Sequence, residues 1–377
     1  MKKILYIANT SWYLYNFRMN LMISMRERGY HVIAIAPRDQ FSPNIEKEGI
    51  DFISIASSRK TMNFVNDIKL IITLFKLFKQ YTPFIVHNFT IKTVLLGTFA
   101  ARLAGIPKVV NSIDGLGHIF SHNKSILTNL ISILLKKVFK FSKCILIVLN
   151  PDDRDYFIQN KIITNKKIFL INGAGINADE FSNKNVNIKK INYVDKTKVN
   201  FFLFSRMIWD KGIKEYINAA LNIFTQFPST HFYLVGASDP GNPAGIPPSW
   251  LKNINKLLGV SWIDYVDDIK PWLVSADIVV LPSYREGIPL SLLEAASFEK
   301  PIITTDTPGC KEIVKNRVNG ILVPPGDSSS LESAMKYLLN NRDIWEKMGR
   351  EGRQLVLDKF DEKLIVKEMV DLYNKIK

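Results

Sequence analysis

Short apolar runs alternate with longer segments of helical period from the first residues of the chain. ILYIA is followed by a helix-patterned stretch to Arg28 that Gly29 closes, then by HVIAIA and FISI. FIVHN, a helical stretch from Thr90 to Ala104 stopped by Gly105, VVNSI, a basic helix, CILIVL and IFLI continue the alternation. Strands buried on both faces read as unbroken apolar runs, so this order predicts a parallel sheet with crossover helices. The first domain is expected over residues 1–182. Residues 183–198 are rich in Asn and Lys, carry no strong apolar period and read as a linker. A second series, VNFFLF, HFYLV, WIDYV, IVVL, PIIT and GILV, predicts a second domain over residues 199–360. The charged, helix-patterned tail from 361 to 377 is expected to cross back to the first domain. The fold class expected is α/β, two Rossmann-like doubly wound domains facing a central cleft, with the carboxyl ends of both sheets at one site.

Two helical stretches carry their charge on one side. Between Asp67 and Lys79, Lys69, Lys76 and Lys79 oppose Ile71, Leu74, Phe75 and Phe78. Between Leu127 and Lys143, Lys136, Lys140 and Lys143 oppose Leu127, Leu130, Leu134, Val138 and Phe141. Such helices either cover a sheet and show lysines to water or lie on an anionic lipid surface. Neither can span a bilayer, because charges interrupt each before the roughly 20 apolar residues that a spanning helix needs.

Length and charge sharpen this picture. A chain of 377 residues with 47% apolar and 23% charged positions suits two globular domains. Fifty Lys plus Arg against 35 Asp plus Glu leave a net charge of +15, which calls for an anionic partner: nucleic acid, anionic lipid or a phosphorylated substrate. No recognition helix, aromatic-rich sheet motif or zinc site supports nucleic acid, which is not expected as a partner. Cys144 and Cys310 lack the spacing of a disulfide framework or a zinc site, which fits a reducing compartment. The apolar core after Lys2 and Lys3 is too short for a secretory signal, so a cytoplasmic protein is expected, peripheral on the inner face of the membrane.

The segment LPSYREGIPLSLLEAASFEKPIITTD carries the most chemistry. A strand ends, a turn holds Glu286 and Gly287, and a helix begins near Pro289, which suits the first helical position because no amide hydrogen is needed there. Backbone N–H groups at such a start can hold a diphosphate, Gly287 lets the backbone approach it, and Gly287, Ile288 and Pro289 are candidate donor-binding residues. Glu294 lies about five residues into the helix, where a carboxylate can accept both hydrogen bonds of a ribose diol. Glu286 is a candidate contact for a transferred sugar. Two glutamates eight apart are common on surface helices; a Glu within an apolar helix is rare, because Glu is seldom buried without a partner. In FLFSRMIWDKGIKEY, Arg206 and Lys211 follow a strand and precede a helix, a placement that can neutralise a leaving diphosphate; the plainer reading is two cations in a surface loop.

These two constellations resemble the family-four retaining glycosyltransferases of the GT-B fold. The resemblance covers nearly the whole chain, with INGAGINADEF matching the family's Asn-Gly turn and NGILVPPGDSSSLESAM its closing helix-turn segment. It implies that Arg206 and Lys211 bind the donor pyrophosphate, Glu286 the donor sugar and Glu294 the ribose. SRMIWDKGIKEYINAA, VGASDPGNPAGIPPSWL, LPSYREGIP and NSIDGLGHIF are similar to a branch of capsule, O-antigen and N-glycan enzymes that extend polyprenyl-diphosphate-linked saccharides. Asn9-Thr10-Ser11-Trp12 replaces the family's usual Gly-Gly loop, and Ile113-Asp114 stands where a histidine is often found. Ser11, Arg18, Asp114 and His118 are the acceptor-side candidates. Asp114 is either a proton acceptor for the incoming hydroxyl or an ordinary turn residue before Gly115. Arg18 is either a phosphate ligand or a first-turn surface residue.

The resemblance implies a retaining hexosyltransferase whose donor is a nucleotide sugar, with a uridine diphosphate leaving group, used as substrate and without a cofactor. The acceptor expected is a lipid-linked glycan. No carboxylate for a double displacement can be named, which favours front-face substitution assisted by Glu286, Arg206 and Lys211 as the catalytic residues. Asp152-Asp153 and Asp267-Asp268 sit beside expected helix starts, where acidic residues partner the dipole, so no metal is expected. An epimerase-like GT-B enzyme and a non-catalytic basic nucleic-acid-binding protein are the competing classes.

Overall fold

The computed structural model describes residues 1–56, 64–116, 126–141, 144–182 and 194–376. The chain opens with β1 (Lys3–Ile7), α1 (Ser11–Glu27), β2 (His31–Ala36), α2 (Ser42–Lys47), β3 (Asp51–Ser54), α3 (Phe64–Tyr81) and β4 (Ile85–Phe89). It continues with α4 (Ile91–Ala104), β5 (Val109–Ile113), α5 (Ile126–Phe141), β6 (Cys144–Val148), α6 (Pro151–Gln159) and β7 (Ile168–Leu170). Then come β8 (Val199–Phe204), α7 (Ile213–Gln226), β9 (Thr230–Val235), α8 (Pro248–Ile254), β10 (Val260–Ile263), α9 (Lys270–Ser275) and β11 (Ile278–Leu281). The last elements are α10 (Leu290–Ser297), β12 (Ile302–Thr305), α11 (Cys310–Ile313), β13 (Gly320–Val323), α12 (Ser328–Asn340), α13 (Trp345–Lys359) and α14 (Glu362–Lys375).

The chain divides into two units, one of Met1–Gly175 with Glu362–Lys377, the other of Ile176–Asp361. In the first, seven parallel strands run in the order β3-β2-β1-β4-β5-β6-β7. One face of this sheet packs against α3, α4, α5 and α6, the other against α1, α2 and α14. Thr10 caps α1, its hydroxyl accepting the Tyr13 amide hydrogen at 3.2 Å, and Gly105 ends α4 in the left-handed conformation that the missing Cβ allows. From α14, Ile365, Met369 and Tyr373 are buried beside α1, and the Tyr373 hydroxyl meets Nδ1 of the buried His87 at 2.5 Å. Burial and the nearby Arg18 charge hold His87 well below its usual pKa, so it is neutral.

Two expectations are corrected in this region. On α5 the core-facing positions are Ile131, Leu135 and Phe139, whereas Leu130 and Leu134 are exposed and Val138 is half-buried. Leu127, Phe141 and Lys143 are not described at the side-chain level. A long run of apolar residues leaves the inner stripe of a helix ambiguous by one position, which is the error made. Residues 176–182, expected to close the first domain, pack in the second unit instead. Ile176 and Ala178 are buried there with Phe202 and Phe298, and Arg353 donates to the carbonyls of Ala178 and Phe181 at 3.2 and 3.1 Å. Of the expected linker, residues 183–193 lie outside the described residues.

The second unit holds six parallel strands in the order β10-β9-β8-β11-β12-β13. α7, α8 and α12 cover one face and α9, α10, α11 and α13 the other. β10 spans Val260–Ile263 rather than the expected WIDYV, because its partner β9 ends in register at Val235 and Gly236 turns away with φ 147°. The strand order reverses between β8 and β11, so the turns that leave their carboxyl ends flank a crevice where doubly wound sheets bind ligands.

Candidate active site

Arg206, Lys211, Glu286, Gly287, Ile288 and Pro289 all fall in those two turns. The β8 turn runs from Ser205 through a short 3-10 segment, Trp209–Lys211, to Gly212, whose φ of 71° starts α7. A Cβ at Gly212 would come within 2.1 Å of the Pro282 carbonyl oxygen, so only glycine lets the two turns touch. The Tyr284 amide donates to the Asp210 carbonyl at 2.9 Å and the Ser283 hydroxyl to the same oxygen at 3.1 Å. The Tyr284 hydroxyl donates to Glu215 Oε1 at 2.8 Å, and burial with the adjacent Glu215 charge pushes its pKa up to about 12. The turn is fixed on its other side as well. The Glu286 amide donates to the Pro308 carbonyl at 3.1 Å, and Gly309 lies so close that a Cβ would meet the Gly287 carbonyl oxygen at 2.4 Å.

This framework brings Lys211 and Glu286 together: Nζ of Lys211 is paired with Oε1 of Glu286, both mostly screened from water. Arg206 is half exposed and pairs with Asp239 at 2.8 Å. Asp239 was not among the candidates, although the Asp-Pro-Gly-Asn turn signal was present. Its loop is bound to the β8 turn by Met207 N to Ala237 O at 2.9 Å, Trp209 N to Ala244 O at 2.8 Å and Ile246 N to Met207 O at 3.0 Å. Glu294 is the fifth residue of α10, a helix that buries six of its eight residues. Among the described residues its carboxyl has no hydrogen-bonding or ionic partner, and burial pushes its pKa up to about 7.

The acceptor-side candidates lie in the first unit. Arg18 is not a first-turn surface residue: it sits in the stripe Leu14, Arg18, Leu21, Met22 and Met25 of α1 and is 3% exposed. Nη2 donates to both Asp114 carboxylate oxygens at 2.8 Å and to the Tyr13 hydroxyl at 2.6 Å, and the guanidinium lies 4.8 Å from the Phe89 ring centre. The Tyr13 hydroxyl also hydrogen-bonds Asp114. Asp114 is therefore the counter-ion of a buried cation and not a plain turn residue. Ser11 is wholly buried, hydrogen-bonded to Asp39 and, at 3.0 Å, to Ser42. His118 lies outside the described residues.

Comparison with known proteins then places the chain. Residues 198–341 match the family model of glycosyl transferases group 1, and residues 3–147 that of the glycosyl transferase 4-like proteins. The chain belongs to the glycosyltransferases. It is 27% identical to the N,N'-diacetylbacillosaminyl-diphospho-undecaprenol alpha-1,3-N-acetylgalactosaminyltransferase of Campylobacter jejuni over 99% of each chain. It is 29% identical to the UDP-Gal:alpha-D-GlcNAc-diphosphoundecaprenol alpha-1,3-galactosyltransferase of Escherichia coli over 83% of this chain and 81% of that one. Among solved structures, a glycosyltransferase from Rickettsia africae superposes with a TM-score of 0.82 and 19% identity, covering 100% of this chain and 98% of the other. The two Rossmann-like units are those of the GT-B fold, and of the classes considered from the sequence, sugar transfer is the one that holds. No described helix of this glycosyltransferase is long and apolar enough to cross a membrane.

Proposed function

We propose that this glycosyltransferase moves a hexose or N-acetylhexosamine, with retention, from a UDP-sugar to a polyprenyl-diphosphate-linked saccharide at an anionic membrane surface. The observation that carries the donor half is the lone Glu294 carboxyl: a carboxylate buried at a cost, with no protein partner, is placed for a ligand that supplies hydroxyl donors. In this reading the ribose diol donates to Glu294. The pyrophosphate draws Lys211 and Arg206 from their carboxylate partners, and Glu286, released from Lys211, accepts from hydroxyls of the transferred sugar. As the glycosidic bond breaks, charge gathers on the departing diphosphate, where Lys211, Arg206 and the backbone amides around Gly287 and Ile288 stabilise it. The diphosphate oxygen takes the proton of the incoming hydroxyl on the face from which it leaves, which retains the anomeric configuration without a covalent enzyme intermediate.

The acceptor and UDP parts follow the names of the Campylobacter and Escherichia relatives. The membrane part is supported by the net charge of +15 and by α3 and α5, whose lysines are exposed. The test is a donor panel of UDP-GalNAc, UDP-Gal, UDP-GlcNAc and UDP-Glc with undecaprenyl-diphosphate-linked saccharides. Acceptor-dependent UDP release and an α-linked product by NMR are expected. A β-linked product, a trapped glycosyl-enzyme or a manganese requirement would each overturn its part of the reading.

A further inference from the structure

One cavity of the first unit lies apart from the Arg18–Asp114 cluster. It has a volume of about 420 Å³ and is formed by the last turns of α5, the end of α6 and the segment leading into β7. Phe139, Ile158, Ile162 and Ile163 make an apolar floor, and Lys136, Lys140, Lys161 and Lys167 stand around it. Lys136, Lys140 and Lys161 are exposed and have no carboxylate partner among the described residues. No acid is available to them locally: α5 contains none, and none occurs from Tyr156 to Lys167. Lys136 and Lys140 are four apart on one helix, an arrangement in which like charges repel.

Lys161 adds a second, independent observation. It has φ 53° and sits just past α6, where the Ile162 amide returns to the Phe157 carbonyl at 2.9 Å to close the helix. That left-handed position is one that glycine fills without steric cost and other residues adopt under strain. The lysine held there lines an already basic cavity. On the same α5, Leu130 and Ile133 are about half exposed and Leu134 more than a third. An apolar strip thus leads along the helix toward the lysines.

We propose that this cavity binds the phosphate of an anionic phospholipid, with the lysines on the phosphate, the glycerol and first methylenes over Phe139, Ile162 and Ile163, and the Leu130–Leu134 strip in the acyl boundary. The inference rests on the membrane-surface reading above and names its ligand and place. A free phosphate would need the lysines but neither the apolar floor nor the strip.

The test uses the full chain with equimolar phosphatidylcholine–phosphatidylglycerol vesicles in a sedimentation assay. The triple variant Lys136→Ala, Lys140→Ala, Lys161→Ala is compared with a control of equal charge loss in the second unit, Lys252→Ala, Lys256→Ala, Lys347→Ala. The cavity variant is expected to bind about a hundredfold more weakly, at about fivefold per lysine near an anionic surface, and the control to stay within about threefold of the parent. Lys161→Gly alone is expected to raise the melting temperature while weakening vesicle binding about fivefold, and Lys161→Arg to keep the binding. Equal losses in both triples, or none in the cavity triple, would overturn the proposal. So would displacement from vesicles by inorganic phosphate at matched ionic strength, which would assign the site to free phosphate. Transfer to a detergent-solubilised acceptor is measured in parallel: its absence in the parent would remove the transfer reading and leave the vesicle result standing.

Discussion

Each unit of the chain sets a cation against a carboxylate at the carboxyl edge of its sheet, yet the two pairs are built for different ends. Arg18 is enclosed by Asp114, Tyr13 and Phe89 and is only 3% exposed, with both Asp114 carboxylate oxygens already on its guanidinium. Arg206 is 47% exposed, and Lys211 and Glu286 stand on neighbouring turns whose positions are fixed by backbone contacts and not by the pair itself. A buried pair is a structural commitment, since the desolvation of each charge is offset only by its partner. A pair on a pre-formed frame is exchangeable: a diphosphate can take the cation and leave the carboxylate for something else.

The largest effect should separate the pairs by stability. Asp114→Ala leaves a buried guanidinium unpaired and is expected to lose about 3–5 kcal/mol, read as a fall in the urea midpoint. Glu286→Ala leaves Lys211, itself mostly screened from water, without its hydrogen-bonded partner and should lose less, about 1–3 kcal/mol. If Glu286→Ala unfolded the protein and Asp114→Ala did not, the contrast would be reversed. Activity should divide them the other way. Lys211→Ala and Arg206→Ala are expected to lower kcat about a hundredfold to a thousandfold with the melting temperature nearly unchanged, the range for removing one pre-placed donor to transition-state charge.

Glu294 sharpens the same contrast, because it is buried like Arg18 but unpaired. With a folded pKa of about 7 against an ordinary value of 4.5, the folded chain holds a proton over that interval that the unfolded chain has released. This contribution to stability is fully present below about pH 4.5, falls as pH rises and levels off above 7. The total change is about 3–4 kcal/mol. Glu294→Gln should abolish this slope and be the more stable protein at pH 8, while binding donor more weakly. Because the diol needs the ionised carboxylate, donor binding at pH 6.5 should release a proton, measured by calorimetry in buffers of different ionisation enthalpy. Equal proton release by the Gln variant would remove the assignment.

The sequence made the frame of the second unit readable and hid much of the first unit's chemistry. VVNSI, VNFFLF, IVVL and GILV were read to the residue, because each is a short, mostly apolar run bounded by turn or loop residues. Glu286 and Glu294 stood out because a strand, a turn and an apolar helix follow one another without a gap. Of the two readings of Arg18, the first-turn surface residue fails, because its spacing from Leu14 and Leu21 puts it on the inner stripe of α1. Its partner lies 96 positions away, and such a distance carries no local pattern. On α5 the apolar residues were too many to show which stripe faces inward. Asp239 escaped because a turn residue and an ionic partner look the same until the turn is folded.

The smallest expected effect tests whether the exchangeable pair really stands on backbone. Tyr284 ties the β11 turn to α7 through Glu215, and Tyr284→Phe removes that hydroxyl while leaving its amide on the Asp210 carbonyl. The loss of one such hydrogen bond is worth about 1 kcal/mol of stability. If Gly212 on Pro282 and the Asp210 contacts hold the turn, Lys211 and Glu286 keep their places, and kcat should change less than about threefold. A fall in kcat approaching that of Lys211→Ala would mean that a side chain, and not the backbone, positions the pair. The two units would then differ less in construction than their exposures indicate.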